Sequence, residues 1–153
     1  MIKEIPKENY MNLGDSKVLA KELRKSVNVL HEKRHYTAAL CVIACGIDAF
    51  INRGRKGKQQ IEIAYCAVIR KHFFDSAVLP AKKFYTMYRH GIAHEFAPKR
   101  GFAMYEDREL NGKYVGNRKI EGFSEARIGL NMDRLIEDFI KLCDHVISGN
   151  PVR

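Results

Sequence analysis

The chain has no long apolar run. Its longest, Ala38–Ile47, has ten residues, against the roughly 20 that a helix needs to cross a bilayer. The opening MIKEIPKENYMNLGD is polar, is broken by Pro6 and lacks the apolar core of a secretory signal. A membrane is therefore not expected as a partner, and the cytoplasm is the expected compartment. There are four cysteines and no C-x-x-C. Cys41, Cys45, Cys66 and Cys143 each sit in an apolar stretch and read as small buried thiols. Nucleophile elbow, P-loop and dinucleotide fingerprints are all missing. So are internal repeats and low-complexity tracts.

What remains is a soluble-type composition, with 46% hydrophobic and 29% charged residues in 153. That length suits one domain, residues 1–153, with a core that needs neither disulfides nor metal. The formal net charge is +9. It has two readings, solubility and attraction to a polyanion such as nucleic acid. Clustering favours the second. Arg53, Arg55, Lys56 and Lys58 crowd one glycine-rich stretch, and Lys99-Arg100 forms a smaller group. Cations on such loops suit phosphate contacts without base readout.

Residues 1–14 read as an irregular arm. Asp15 or Ser16 caps a first helix to about Arg34, with Leu19, Leu23, Val27 and Leu30 on one face. Thr37 caps a second, apolar around most of its circumference and so expected to be central and heavily buried. A third covers Gln59–Phe74, with Ile61, Tyr65, Val68 and Ile69 inward. Pro80 fits the first position of a fourth, which carries Phe84, Met87, Tyr88 and Ile92 inward and runs to about Glu95. Asn111-Gly112 is a hairpin signal between Phe102–Asp107 and Lys113–Val115, and Ala126–Leu130 adds a third strand. Asn131 caps the last helix, which buries Met132, Leu135, Ile136, Phe139, Cys143 and Val146 and ends at Gly149. The expected fold is mainly α: about five helices, with a small β-hairpin insertion at about 101–130 before the last.

Chemistry concentrates in Tyr88-Arg89-His90-Gly91-Ile92-Ala93-His94-Glu95-Phe96. It supplies a guanidinium that matches phosphate, two imidazoles suited to proton transfer and a carboxylate. His90 and His94 are about 40° apart on an ideal helix, whereas Arg89 and His94 are about 140° apart. A distortion near Gly91, or a two-fold interface, would let the last two converge.

Arg89-His90-x-x-x-His94 resembles the R-x4-H motif of HEPN domains, small helical bundles of prokaryotic defence and toxin systems and of some RNA-processing proteins. The resemblance covers most of the chain, leaving the 101–130 insertion outside the minimal bundle. It implies a metal-independent endoribonuclease with no cofactor. Arg89 and His94 would be the catalytic pair, His90 the accessory polar residue and Glu95 a further orienting group. Asp48 matches the acidic residue that members carry on an earlier helix facing the motif. The implied partners are single-stranded RNA, a second copy in a homodimer and a protein antitoxin. The alternative is a non-catalytic module that dimerises and binds RNA or a protein; a small-ligand bundle is a third reading. Arg24 and His31 satisfy a looser motif spacing but have no supporting feature. His90/His94 and His31/His35 have zinc-ligand spacing without a third ligand, and the latter pair reads as a solvated face.

Overall fold

The computed structural model describes residues 12–54, 60–74, 79–95, 98, 101–119 and 126–152. Helix α1 (Ser16–Glu32) starts as expected at Asp15, whose carboxylate accepts from the amides of Lys17 and Val18 at 2.8 and 3.2 Å. Ala20 and Val27 are buried, with Leu19, Leu23 and Leu30 packed partly against the core. The chain reverses at Arg34, whose φ of 56° is left-handed. The amides of Arg34 and His35 donate back to His31 and Leu30, satisfying carbonyls the helix leaves open.

Helix α2 (Tyr36–Gly54) begins one residue before the expected Thr37 cap. Leu40, Ile43, Ile47, Phe50 and Ile51 enter the core. Its position is central, but its burial is less than the sequence suggests: Ala38 and Cys45 are exposed and Cys41 and Val42 half-buried. By length and composition alone Tyr36–Arg53 could cross a membrane, and 44% of that stretch is buried within the fold. Gly46 lets α2 approach its neighbours, because a Cβ there would lie 2.8 Å from the Phe139 ring and 3.0 Å from Leu23.

Helix α3 (Ile61–His72) is shorter at both ends than expected and buries Tyr65, Cys66, Val68 and Ile69. Pro80 precedes the next helix as its N-cap instead of occupying its first position. That helix is not uniform. An α-helical turn, α4 (Ala81–Phe84), gives way to a π-helical segment, Tyr85–Arg89, and then to α5 (His90–Glu95). Phe84, Tyr88 and Ile92 point inward as expected, with Met87 at the margin.

The small sheet departs from the expected hairpin. Strands β1 (Phe102–Tyr105) and β2 (Val115–Lys119) both pair with β3 (Ala126–Asn131), in the order β1-β3-β2. β1 runs parallel and β2 antiparallel to β3, with Ala103 and Gly116 both opposite Gly129. Asn111 and Gly112 do adopt positive φ, 51° and 73°, but they close a 3-10 turn, Asp107–Leu110. The Asn-Gly pair specified a left-handed turn; it did not specify which strands flank it.

Asn131 joins the sheet to α6 (Met132–Ile147). Fully buried, it accepts from the Arg134 amide at 3.1 Å and donates to Asp107 and to the Lys113 carbonyl at 2.8 and 2.9 Å. The six expected inward residues of α6 are all buried, with Leu142 beside them. Gly149, at φ 87°, follows the helix end. Tyr88 ties the π-helical segment to the sheet, its hydroxyl donating toward the carbonyls of Ala103 and Ile128 at 3.1 and 3.3 Å.

Candidate functional site

Arg89 ends the π-helical segment and faces α2. Its Nε and Nη2 both donate to Asp48 Oδ2, at 2.9 and 2.7 Å. The two side chains are 21% and 20% exposed, so the pair lies at the edge of the core. Asp48 Oδ1 is buried and has no hydrogen-bond partner among the described residues; the same is true of the Tyr65 hydroxyl. Burial works against charge on Arg89, but the hydrogen bond and charge of Asp48 outweigh it and hold the guanidinium above its ordinary pKa. Tyr65 is pushed far up, chiefly by burial and then by Asp48.

The π-helical geometry determines what lies beneath the motif. The amide of His90 donates to the Tyr85 carbonyl five residues back, so each turn is wider than in an α-helix. Tyr85 consequently contacts both neighbours: the Arg89 guanidinium sits 5.2 Å from its ring centroid and the His90 ring 4.8 Å. Tyr65 meets Tyr85 edge-on at 5.2 Å. The helix distortion expected near Gly91 thus occurs one turn earlier. A tyrosine four residues before an arginine was the available signal for the stacking contact, but aromatic residues here read as core.

His94 and Glu95 lie on α5, five and six residues after Arg89. Arg53, expected at an RNA contact, has its guanidinium donating to the carbonyls of Leu13 at 2.6 Å, Gly14 at 3.3 Å and Ala49 at 3.4 Å. It closes the C-terminal end of α2 against the segment before α1. Arg55, Lys56, Lys58, Lys99 and Arg100 lie outside the described residues. Cys66 and Cys143 are buried as expected, and burial pushes the Cys143 thiol up to about 12. Cys45 is exposed, a correction to the buried reading.

His31 is the larger correction. His35 is exposed as expected, but His31 is only partly so, and its Nε2 donates to Asp133 at 2.7 Å, across the start of α6. The same carboxylate accepts from the Tyr36 hydroxyl at 2.9 Å and the Asp107 amide at 2.6 Å. Nothing in the sequence marks this cluster, because His31 and Asp133 are 102 positions apart. Arg24, its partner in the looser motif, pairs with Asp144 at 3.0 Å. Among the described residues, no group of three or more His, Cys, Asp or Glu could hold a metal ion. No protein-family model matches the chain, and no curated protein or solved structure is significantly similar to it.

Proposed function

We propose that the chain is a HEPN-like helical bundle acting as an endoribonuclease on single-stranded RNA, as a homodimer within a toxin or defence system. The observation that carries this reading is the Arg89–Asp48 pair. An arginine held on one side by a carboxylate and below by Tyr85 is fixed before substrate arrives, and fixed cations stabilise developing charge at low reorganisation cost. The 2′-hydroxyl attacks the adjacent phosphate and the 5′-oxygen leaves, giving a 2′,3′-cyclic phosphate. His94 moves the proton, and Arg89 balances the charge on the five-coordinate phosphorus. Nη1 of Arg89 has no hydrogen bond among the described residues and is the donor left for a phosphate oxygen.

The same pair supports the second reading, because a guanidinium already neutralised by Asp48 is also what a structural ion pair looks like. In that case the chain is a non-catalytic module that dimerises and binds RNA or a protein partner. One assay separates the two: purified protein, a fluorescently labelled single-stranded RNA and excess EDTA. The nuclease reading expects cleavage that falls by about 100-fold or more in Arg89→Ala and in His94→Ala. Binding without scission by the parent protein establishes the module instead.

A further inference from the structure

We infer that Tyr65 is a positioning residue for Arg89: through one bound water its hydroxyl holds Asp48 Oδ1, and the carboxylate so held sets where the guanidinium points. The effect on cleavage rests on the ribonuclease reading; the hydrogen-bonded link itself does not.

The ion pair is lopsided. Nε and Nη2 of an arginine form a fork that matches the two oxygens of a carboxylate, one N–H to each. Here both donate to Oδ2 alone, at 2.9 and 2.7 Å. Oδ1 takes no part; it is buried without a hydrogen-bond partner among the described residues. A carboxylate oriented by Arg89 alone would offer it both oxygens. The orientation of Asp48 is therefore set by a second group, and that group donates to Oδ1.

Tyr65 lies on α3, which packs against α2, and is fully buried. Its ring meets Tyr85 edge-on at 5.2 Å, and the Arg89 guanidinium sits 5.2 Å from the Tyr85 centroid. Tyr65 thus forms the inner wall of the site. Its hydroxyl is likewise buried without a partner among the described residues. Burial keeps that hydroxyl protonated and so a donor, and of the charges acting on it Asp48 is the strongest, ahead of Arg89. An orphaned donor and an orphaned acceptor therefore neighbour each other without bonding directly. One water that accepts from the hydroxyl and donates to Oδ1 satisfies both. Cys45, one turn before Asp48 on α2, is the poorer candidate, because it is exposed and a thiol is a weak donor.

The link has a consequence for Arg89. With Oδ1 held back, the carboxylate engages Nε and Nη2 through one oxygen, and Nη1 stays directed away from it. Without the hydroxyl, Asp48 is free to rotate both oxygens onto the fork. That turns the guanidinium and neutralises it more completely before a phosphate arrives.

Tyr65→Phe keeps the ring and removes the hydroxyl. It should lower the melting temperature of the full chain by about 1–6 °C. In an Asp48→Ala background the same change should cost nothing or raise it, since the hydroxyl then has no charged acceptor to reach. In 15N NMR spectra the Arg89 Nε–H resonance should shift in Tyr65→Phe. With labelled single-stranded RNA, kcat should fall about three- to tenfold, the equivalent of one weakened hydrogen bond in the transition state, with KM within about twofold. Tyr36→Phe, which loses a 2.9 Å hydrogen bond to Asp133, should cost similar stability and leave the resonance, kcat and KM unchanged. A melting temperature in Tyr65→Phe equal to or above the parent's would make the hydroxyl a packing atom and overturn the link. An unmoved Arg89 resonance, or an unchanged kcat, would overturn the positioning role. A parent protein that cleaves no RNA removes the ribonuclease reading, and the melting temperatures and the Arg89 resonance then decide the link and the positioning by themselves.

Discussion

Replacing Asp48 by alanine strands the Arg89 guanidinium against the Tyr85 ring, and the structure sets the size of the cost. Two charge-assisted hydrogen bonds of 2.9 and 2.7 Å are lost, each such bond typically contributing about 1.5–3 kcal/mol in a protein. Breaking a fully buried ion pair costs about 3–5 kcal/mol, but both side chains here are about one-fifth exposed, and water reaches the orphaned group. A coupling of about 1–3 kcal/mol follows, measured as the interaction energy in a cycle of Asp48→Ala, Arg89→Ala and the double variant by urea unfolding. A loss of that size in a single variant should lower the melting temperature by about 2–12 °C, at about 2–4 °C per kcal/mol for a domain of this size. The coupling should survive 0.5 M salt, because a half-buried pair is weakly screened. Lys25–Glu22, at 3.1 Å but with the lysine 74% exposed, is the internal control and should couple by less than about 0.5 kcal/mol. Equal coupling in the two cycles would show that the Asp48–Arg89 geometry holds nothing in place.

His72 is held below the usual histidine pKa by burial, with His145 and Lys71 adding to the effect. The unfolded chain therefore takes up that proton first, and stability falls as pH drops below about 6.5. His72→Gln should lose less melting temperature than the parent between pH 7 and pH 5; identical slopes would refute the burial argument. Gly129→Ala should be among the most damaging single changes in the sheet, because the new Cβ falls within the space of the Tyr105 ring; a cost of at least about 1–3 kcal/mol is expected from overpacking. Gly129→Ala combined with Tyr105→Ala should recover part of that stability. Asn131→Ala removes a helix cap and two further hydrogen bonds from a fully buried site. An unfolding free energy lower by about 2–4 kcal/mol is the expected result, and a change under 0.5 kcal/mol would mean that the cap is dispensable.

Local signals were legible wherever one residue decides the outcome. Asp15 and Asn131 cap their helices because a short polar side chain reaches the second or third amide, a relation contained within four residues. The α6 stripe followed from period alone. Burial on α2 did not, because an apolar circumference says that a helix can be covered, whereas actual cover depends on how many neighbours the topology provides. Ala38 and Cys45 are exposed for that reason. Strand pairing failed similarly: Asn111-Gly112 encodes two positive φ angles, and these serve a 3-10 turn as well as a hairpin.

The candidate site divides along the same line. Asp48 stood out because a lone carboxylate in an apolar helix needs a cation or donor, and Arg89 is the cation it has. The stacking beneath Arg89 could not be read, since residues 85 and 90 become neighbours only when the turn between them widens to π geometry. An ideal α-helix places them about 140° apart, whereas here their rings are 4.8 Å apart. The widening therefore matters more than the R-x4-H spacing itself: it brings one aromatic ring against both Arg89 and His90, leaving the guanidinium supported from below by Tyr85 and from the side by Asp48. Tyr85→Leu should loosen that arrangement without touching the ion pair's partners, and a drop in the Arg89 coupling to Asp48 in the same double-variant cycle would show that the ring, and not the carboxylate alone, orients the cation.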